Sequence, residues 1–347
     1  MSLIFNGHID TDPVFVGCDD PYNPRIEDRR LIGHGLWNMK AAVAAMVYAA
    51  RAIKKAGVEL KGDLIVEPVV GEIQGGIGTY YNTFKKNIMA DYGLVPEPTM
   101  ENLRTLHAGA MEVAITVKGT SQHISRMGWG SVDALDKTIK VIEALKRMKF
   151  PYKPDPRIPG LPRFVIGALK CGHGDDQDLR GAAFIIDNCT MIVDIRYLPG
   201  MQPWEDIRKV LEDLKAEDPE FKYELKLNPE DPFEDEGMPW QNFRCHLPPQ
   251  DISPDEHIVK VVAKNHKEVT GKDPEIVGPY PLDHQNHSHQ YAGADDAHLT
   301  KAGIISLCYG PKARVDPQGN QYVDIDSMMT VAKVYALTAL DICTRAK

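Results

Sequence analysis

GLWNMKAAVAAMVYAARAIKKAG, residues 35–57, is the stretch whose reading decides the fold. Val43, Met46, Val47, Ala50 and Ile53 recur at the spacing of a single helix face, Arg51, Lys54 and Lys55 gather near its end, and Gly57 closes it. On either side stand apolar runs that end in polar residues: SLIFNGHID before it and DLIVEPVVGE, residues 63–72, after it. Runs of that kind read as buried strands. Strand, amphipathic helix and strand make a crossover unit. A glycine-rich turn, GGIGTYYNTFKK, and a third apolar segment, ADYGLVPEPT, extend it. The expected architecture is an α/β domain, a mixed sheet flanked by helices, with ligands bound at the carboxyl edge of the strands.

From about residue 109 the texture changes. MEVAITVKGTSQH alternates as a strand does, VDALDKTIKVIEALKRM is helical, CTMIVDIRYLP is a strand and WEDIRKVLEDLKA a helix. This predicts an inserted α+β domain over 109–229, with the α/β domain formed from 1–108 and 230–347. NPEDPFEDEGMPWQNFRCHLPPQDISPDE, rich in proline and acids, reads as the return linker. DEHIVKVVAKNHKEV and AGIISLCYGP then supply a further helix and buried strand.

The balance of 40 basic against 49 acidic residues, a net charge of −9 over 347 residues, leaves no basic run for nucleic acid or an anionic membrane surface. A small-molecule partner is expected. The six cysteines are widely spaced with no C-x-x-C pair and read as reduced structural thiols. The opening MSLIFNGHIDTDP lacks a basic and apolar leader, which sets the cytoplasm as the expected location.

The chemistry collects at the strand ends. In GHID, His8 and Asp10 stand two apart, a spacing that puts both on one face of a strand. A carboxylate there can fix one imidazole nitrogen while the other binds metal. Glu72 ends the next run beside glycines, and Glu97 lies in VPEPT. Two glutamates, a histidine and an aspartate at adjacent strand ends point to a metal site with a general base.

LIFNGHIDTDPV, GLWNMKAAVAAM, GEIQGGIGT, VPEPT, GAMEVAITVKGTSQHIS, VDIRYLPG, GADDAHLTKAGI and QYVDIDSM occur in the order of one family. Over nearly its whole length the chain resembles the zinc metallopeptidases that include aminoacylases, acetylornithine deacetylases, succinyl-diaminopimelate desuccinylases and bacterial glutamate carboxypeptidases. The resemblance implies a ferredoxin-like inserted domain that forms a homodimer. It also implies a hydrolase of C–N bonds in which two metals share a bridging aspartate and a glutamate activates water. By the same resemblance His8 and Glu97 are ligands of one metal, Asp10 orients His8 and Glu72 is the base. The family carries a helix and strand ahead of its G-H-x-D segment, so the early position of His8 implies a missing N-terminal piece.

The departures fall on the other metal. The bridging aspartate becomes Asn38, the second glutamate of an E-E pair becomes Ile73, and the late histidine falls on Pro317 or Asp316, with Gln321 following. An amide oxygen can bind one hard cation but bridges two poorly. One divalent ion per chain, zinc or manganese, is therefore expected, held by His8, Asn38 and Glu97. Ile73 is expected to fill the second metal's space. Asp316 is the residue that would restore a ligand. In the inserted domain, Ala183 replaces the asparagine of the family's N-V-I-P segment, Arg196 remains for a substrate anion, and His123 matches a histidine that reaches into the partner's site.

Each of these residues also has an ordinary reading. His8 and Asp10 can be a satisfied polar pair, Glu97 a turn carboxylate, Asn38 a helix N-cap and Arg196 half of a surface ion pair. The cluster DHQNHSHQ, with His284, His287 and His289, suits substrate contact on a loop, and His298 reads as packing. Three functional readings follow. The first is a C–N hydrolase with a mononuclear centre, acting on an amide or a less common ureide, carbamoyl or aryl-amine group. The others are an ordinary dinuclear deacylase and a non-catalytic small-molecule binder. Retention of Glu72 favours the enzymes.

Overall fold

The structure, a computed structural model, describes residues 1–126, 129–179, 183–228, 233, 246–276 and 291–344. His284, His287, His289 and most of the expected return linker lie outside them. The described chain divides into two compact units: Met1–Gly109 with Pro156–Ile158 and Gly237–Lys347, and Ala110–Asp155 with Pro159–Glu236.

The first unit is built on four parallel strands in the order Ile305–Cys308, Tyr92–Val95, Leu3–His8 and Leu64–Val69. Leu3, Ile4 and Phe5 have no exposed surface, so this strand is buried on both faces. The helix Ala41–Lys55 makes the crossover from Leu3–His8 to Leu64–Val69. It packs with the long helix Ile325–Cys343 in one core that includes Met46, Ile53, Val331 and Tyr335. Proline at position 68 is tolerated because Leu64–Val69 is the edge strand.

The helix face differs in part from the one expected. Val43, Met46 and Ile53 are buried, but Val47 is 43% exposed, and Ala42, Ala45 and Ala49 take the inward positions. An alanine-rich helix gives little contrast between faces, so the periodicity in the sequence locates its inner stripe only loosely. GGIGTYYNTFKK, expected as a turn, is helical from Ile77 to Tyr80 and continues as a wider turn through Lys85. A second, antiparallel sheet of short strands, Ala313–Val315, Gln321–Asp324, Arg30–Ile32 and Arg25–Glu27, has no counterpart in the expectations.

The second unit runs strand, helix, strand, strand, helix, strand. Its sheet order is Lys222–Leu227, Gly109–Lys118, Asn188–Tyr197 and Arg163–Gly172, with helices Ala134–Arg147 and Pro203–Glu217. Gly109–Lys118 alternates strictly between buried and half-buried residues, as a sheet with one covered face requires. Cys171 and Cys189 stand opposite each other on neighbouring strands and form a disulfide. This corrects the expectation of six reduced thiols: sheet register creates a pairing that their spacing in sequence does not show. No helix among the described residues is long and apolar enough to cross a membrane.

Candidate active site

His8 ends the first strand and is fully buried. Its Nδ1 lies 2.9 Å from the backbone oxygen of Asp10. A carbonyl oxygen can only accept, so Nδ1 is the donor and carries a proton. The other nitrogen, Nε2, faces three oxygens: Asn38 Oδ1 at 3.3 Å, Glu97 Oε1 at 3.7 Å and Glu72 Oε2 at 3.9 Å. A lone pair facing three acceptors is unfavourable without a positive charge between them. Burial disfavours the imidazolium, yet Asp10, Glu72, Glu97 and Asp295 together hold the His8 pKa well above its ordinary value.

Asp10 works through its side chain as well. Its carboxylate accepts from the backbone N–H of Glu72 at 3.4 Å and of Ile73 at 3.2 Å, so it ties the loop after the edge strand to His8. That loop is closed further by Gly75 and Gly76, whose N–H groups donate to the Glu72 carbonyl at 2.7 and 3.1 Å. Glu72 is thus placed by a tight turn and not, as expected, by a strand end, since the strand stops at Val69. Burial pushes the Glu72 carboxyl up to about 8; His8 opposes the rise, while Glu97 and Asp295 add to it. Burial likewise raises Glu97, against the pull of His8 and Arg104.

These side chains suit a single cation. Ligand atoms about 2.0–2.2 Å from one metal stand no more than about 4 Å apart, and the three oxygens meet that limit around His8 Nε2. Among the described residues no three His, Cys, Asp or Glu side chains alone form a ready metal-binding group. Of the three oxygens facing His8 Nε2, the nearest is the amide oxygen of Asn38, at 3.3 Å.

Asn38 is not a helix cap. Helix Ala41–Lys55 begins after Lys40, and Asn38 lies in the preceding turn with extended backbone at φ −135°, ψ 100°. Gln321 supports that turn by accepting from the Gly35 N–H at 2.7 Å. Ile73 is 37% exposed, and its backbone N–H donates to Asp10 Oδ2 at 3.2 Å. Asp316 is not brought to His8. Its carboxylate accepts from the N–H groups of Gln318 and Asn320 at 2.9 Å and from Asn320 Nδ2 at 3.0 Å, which commits it to its own hairpin turn. Pro317 is exposed in that turn.

The remaining two candidates belong to the second unit. His123 is exposed, its Nδ1 is 2.8 Å from Ser125 Oγ, and its ring meets Phe184 edge-on. Arg196 makes a two-pronged pair with Asp194 on its own strand, at 2.6 and 2.8 Å.

Two features were not picked out from the sequence. Asp295, in the quoted segment GADDA, is 1% exposed, and its carboxyl is raised by burial to about 7 against the opposing pull of His8. Beside it runs a buried polar network. Asp296 meets His107 Nε2 at 3.0 Å and accepts from Gln250 Nε2 at 2.8 Å, and Arg104 Nη2 donates to Cys308 Sγ at 3.0 Å. Adjacent aspartates at the start of a helix read as capping residues, so the only available signal was their place inside a family segment.

A buried imidazole facing carboxylate and amide oxygens at the carboxyl edge of a parallel sheet defines the class: a metal-assisted hydrolase on an α/β frame. Residues 4–341 match peptidase family M20/M25/M40, and the chain belongs to that family. Metal dependence is typical of the family, and the chain is a hydrolase acting on carbon–nitrogen bonds. It is 25% identical over 370 residues to N-formyl-4-amino-5-aminomethyl-2-methylpyrimidine deformylase of Bacillus subtilis (strain 168), covering 100% of this chain and 80% of the relative. It is 28% identical over 204 residues to acetylornithine deacetylase of Klebsiella pneumoniae (strain 342), with 57% of this chain and 51% of the relative covered. A tripeptidase from Staphylococcus aureus shares the fold at a TM-score of 0.70 and 18% identity, over 99% of this chain and 81% of that one.

Proposed function

We propose that the protein hydrolyses the amide-type bond of a small N-acyl compound at a single-metal site made by His8, Glu97 and Asn38, with Glu72 as general base. The observation that carries this reading is the convergence of three acceptor oxygens on His8 Nε2. When bound, a zinc or manganese ion supplies polarisation of the carbonyl and acidification of water. Glu72 then takes a proton from water on its carboxylate and delivers it to the departing nitrogen. Asp10 keeps the Nδ1 proton of His8 engaged, so that Nε2 stays available as a donor to the metal.

Two relatives that match over 96–100% of this chain are deformylases by name, which makes a formamide the first substrate class to test. The second unit would form a homodimer through its exposed edge strand Arg163–Gly172, where Val165 and Leu169 face outward. His123 would then serve the partner's site and Arg196 the substrate. A cytoplasmic location belongs to the same reading.

The test is turnover of N-formyl and N-acetyl amines by protein dialysed against chelator and then reloaded. Activity is expected to disappear on dialysis and return with zinc or manganese. Hydrolysis that survives complete metal removal would rule the reading out.

A further inference from the structure

A general base at Glu72 needs its carboxylate held at a set distance from His8, and the contacts of Asp10 with the Glu72 and Ile73 N–H groups supply one tie. A second tie begins at Asn6. It lies on the strand of His8, and the period of two puts both side chains on one face. Asn6 Nδ2 donates to Glu67 Oε2 at 2.7 Å and to Thr79 Oγ1 at 2.9 Å, while its Oδ1 accepts from the Thr79 hydroxyl at 3.2 Å. Both hydrogens of the amide are thereby used. Asn6 and Thr79 have no exposed surface and Glu67 is 6% exposed. Glu67 stands opposite Asn6 in the parallel strand pairing, and Thr79 lies on the short helix Ile77–Tyr80 that follows the Glu72 turn. Buried polar bonds of this kind are directional, and leaving one unmade is costly.

That helix is joined closely to the turn. Ile77 N–H donates to the Gly71 carbonyl at 3.1 Å, Gly78 N–H to the Val70 carbonyl at 3.0 Å and Tyr80 N–H to the Gly76 carbonyl at 2.8 Å. A Cβ at Gly78 would stand 2.3 Å from the Val70 oxygen, so the helix lies against the end of the edge-strand segment as only glycine allows. The opposite side of the turn is closed as well. His298 Nε2 donates to the Gly75 carbonyl at 2.9 Å, and a Cβ at Gly76, where φ is +74°, would stand 2.7 Å from Asp295 Oδ1 and 2.7 Å from His298 Cδ2. A shift of Glu72 therefore moves the helix with it, and Thr79 bonds that helix to the strand of His8.

We infer that Asn6 and Thr79 are positioning residues for the base: their paired hydrogen bonds, backed by Glu67, set the reach of the Glu72 carboxylate toward His8 Nε2. This rests on the reading of Glu72 as general base, and it gives a role in catalysis to residues that act through Glu72. Misplacing a reacting group by about 1 Å can cost about 10²-fold in rate, so a buried clamp behind the base has a kinetic consequence.

The test is a kinetic double-mutant cycle on the zinc-loaded full chain, with the N-formyl amine it cleaves fastest as the probe. Thr79→Val keeps the shape of the side chain and removes the hydroxyl. It is expected to lower kcat about 10–100-fold, the range lost when a partner behind a site residue is removed, with KM and bound zinc unchanged. In a Glu72→Gln background the same substitution should lower kcat no further, because no base remains to be positioned. Thr79→Ser, which keeps the hydroxyl, should turn over close to the wild-type rate. In the metal-free chain, amide hydrogen exchange at Gly75 and Gly76 should be about 10-fold faster in Thr79→Val than in Thr79→Ser. Thr79→Ala serves the same comparisons should the valine chain not fold. Equal losses of kcat in both backgrounds, or unchanged exchange, would overturn the inference and leave the hydrolase reading standing. Wild-type turnover by Glu72→Gln would overturn both the clamp and the base it serves.

Discussion

Glu72→Gln is expected to lower kcat about 10²–10⁴-fold on whatever amide the protein cleaves, the range lost when a general base is removed. The substitution keeps the size of the side chain and the backbone of its turn, in which Gly75 and Gly76 donate to the Glu72 carbonyl. What it removes is a proton acceptor in a site where water must be deprotonated. The carboxylate sits 3.9 Å from His8 Nε2, close enough to share a water with an ion held there. Because Glu72 is assigned as base and not as ligand, the bound metal and KM should change little while kcat collapses. Turnover at the wild-type rate would remove the mechanism.

Asp296→Ala is expected to destabilise the folded chain by about 3–5 kcal/mol, the cost of removing one partner from a buried charged network. Asp296 has no exposed surface, and it joins His107 from the segment after Glu97 to Gln250 from a later strand. Ser306 Oγ also donates to its backbone oxygen at 2.8 Å, linking the network to the strand Ile305–Cys308. Burial works against the Asp296 charge, but His107 and Arg104 hold its pKa below the ordinary carboxylate value. Losing it leaves Gln250 Nε2 short of one partner and Arg104 facing less compensation. Chemical denaturation of the metal-free variant reads this directly; a loss under about 1 kcal/mol would show that the network contributes little net stability.

The parallel sheet was legible because each of its strands is a short apolar run that ends in polar residues, and the ends of such runs are where an α/β fold collects its chemistry. His8, Glu72 and Glu97 could be found in this way, and the structure brings all three together. Asn38 was legible only as a residue type at a position. Its contact with His8 depends on a turn whose backbone leaves the helical region, which no periodicity reveals. Ile73 was legible only as the absence of a ligand; that its turn leaves it 37% exposed and uses its N–H to hold Asp10 is a tertiary property that no residue type announces. Asp316 was a reasonable replacement by proximity in sequence, but a carboxylate two and four residues ahead of free amides satisfies its own hairpin first. Asp295 and the Asp296 network were hidden because burial of a carboxylate is a tertiary property, set by the Gly76 turn and by strands distant in sequence.

Elemental analysis of the metal bound per chain tests the account most directly, on protein saturated with zinc or manganese and freed of excess. About one ion per wild-type chain and none in His8→Ala is the predicted result. Two ions per wild-type chain, or an ion retained without His8, would contradict a single site built on that imidazole.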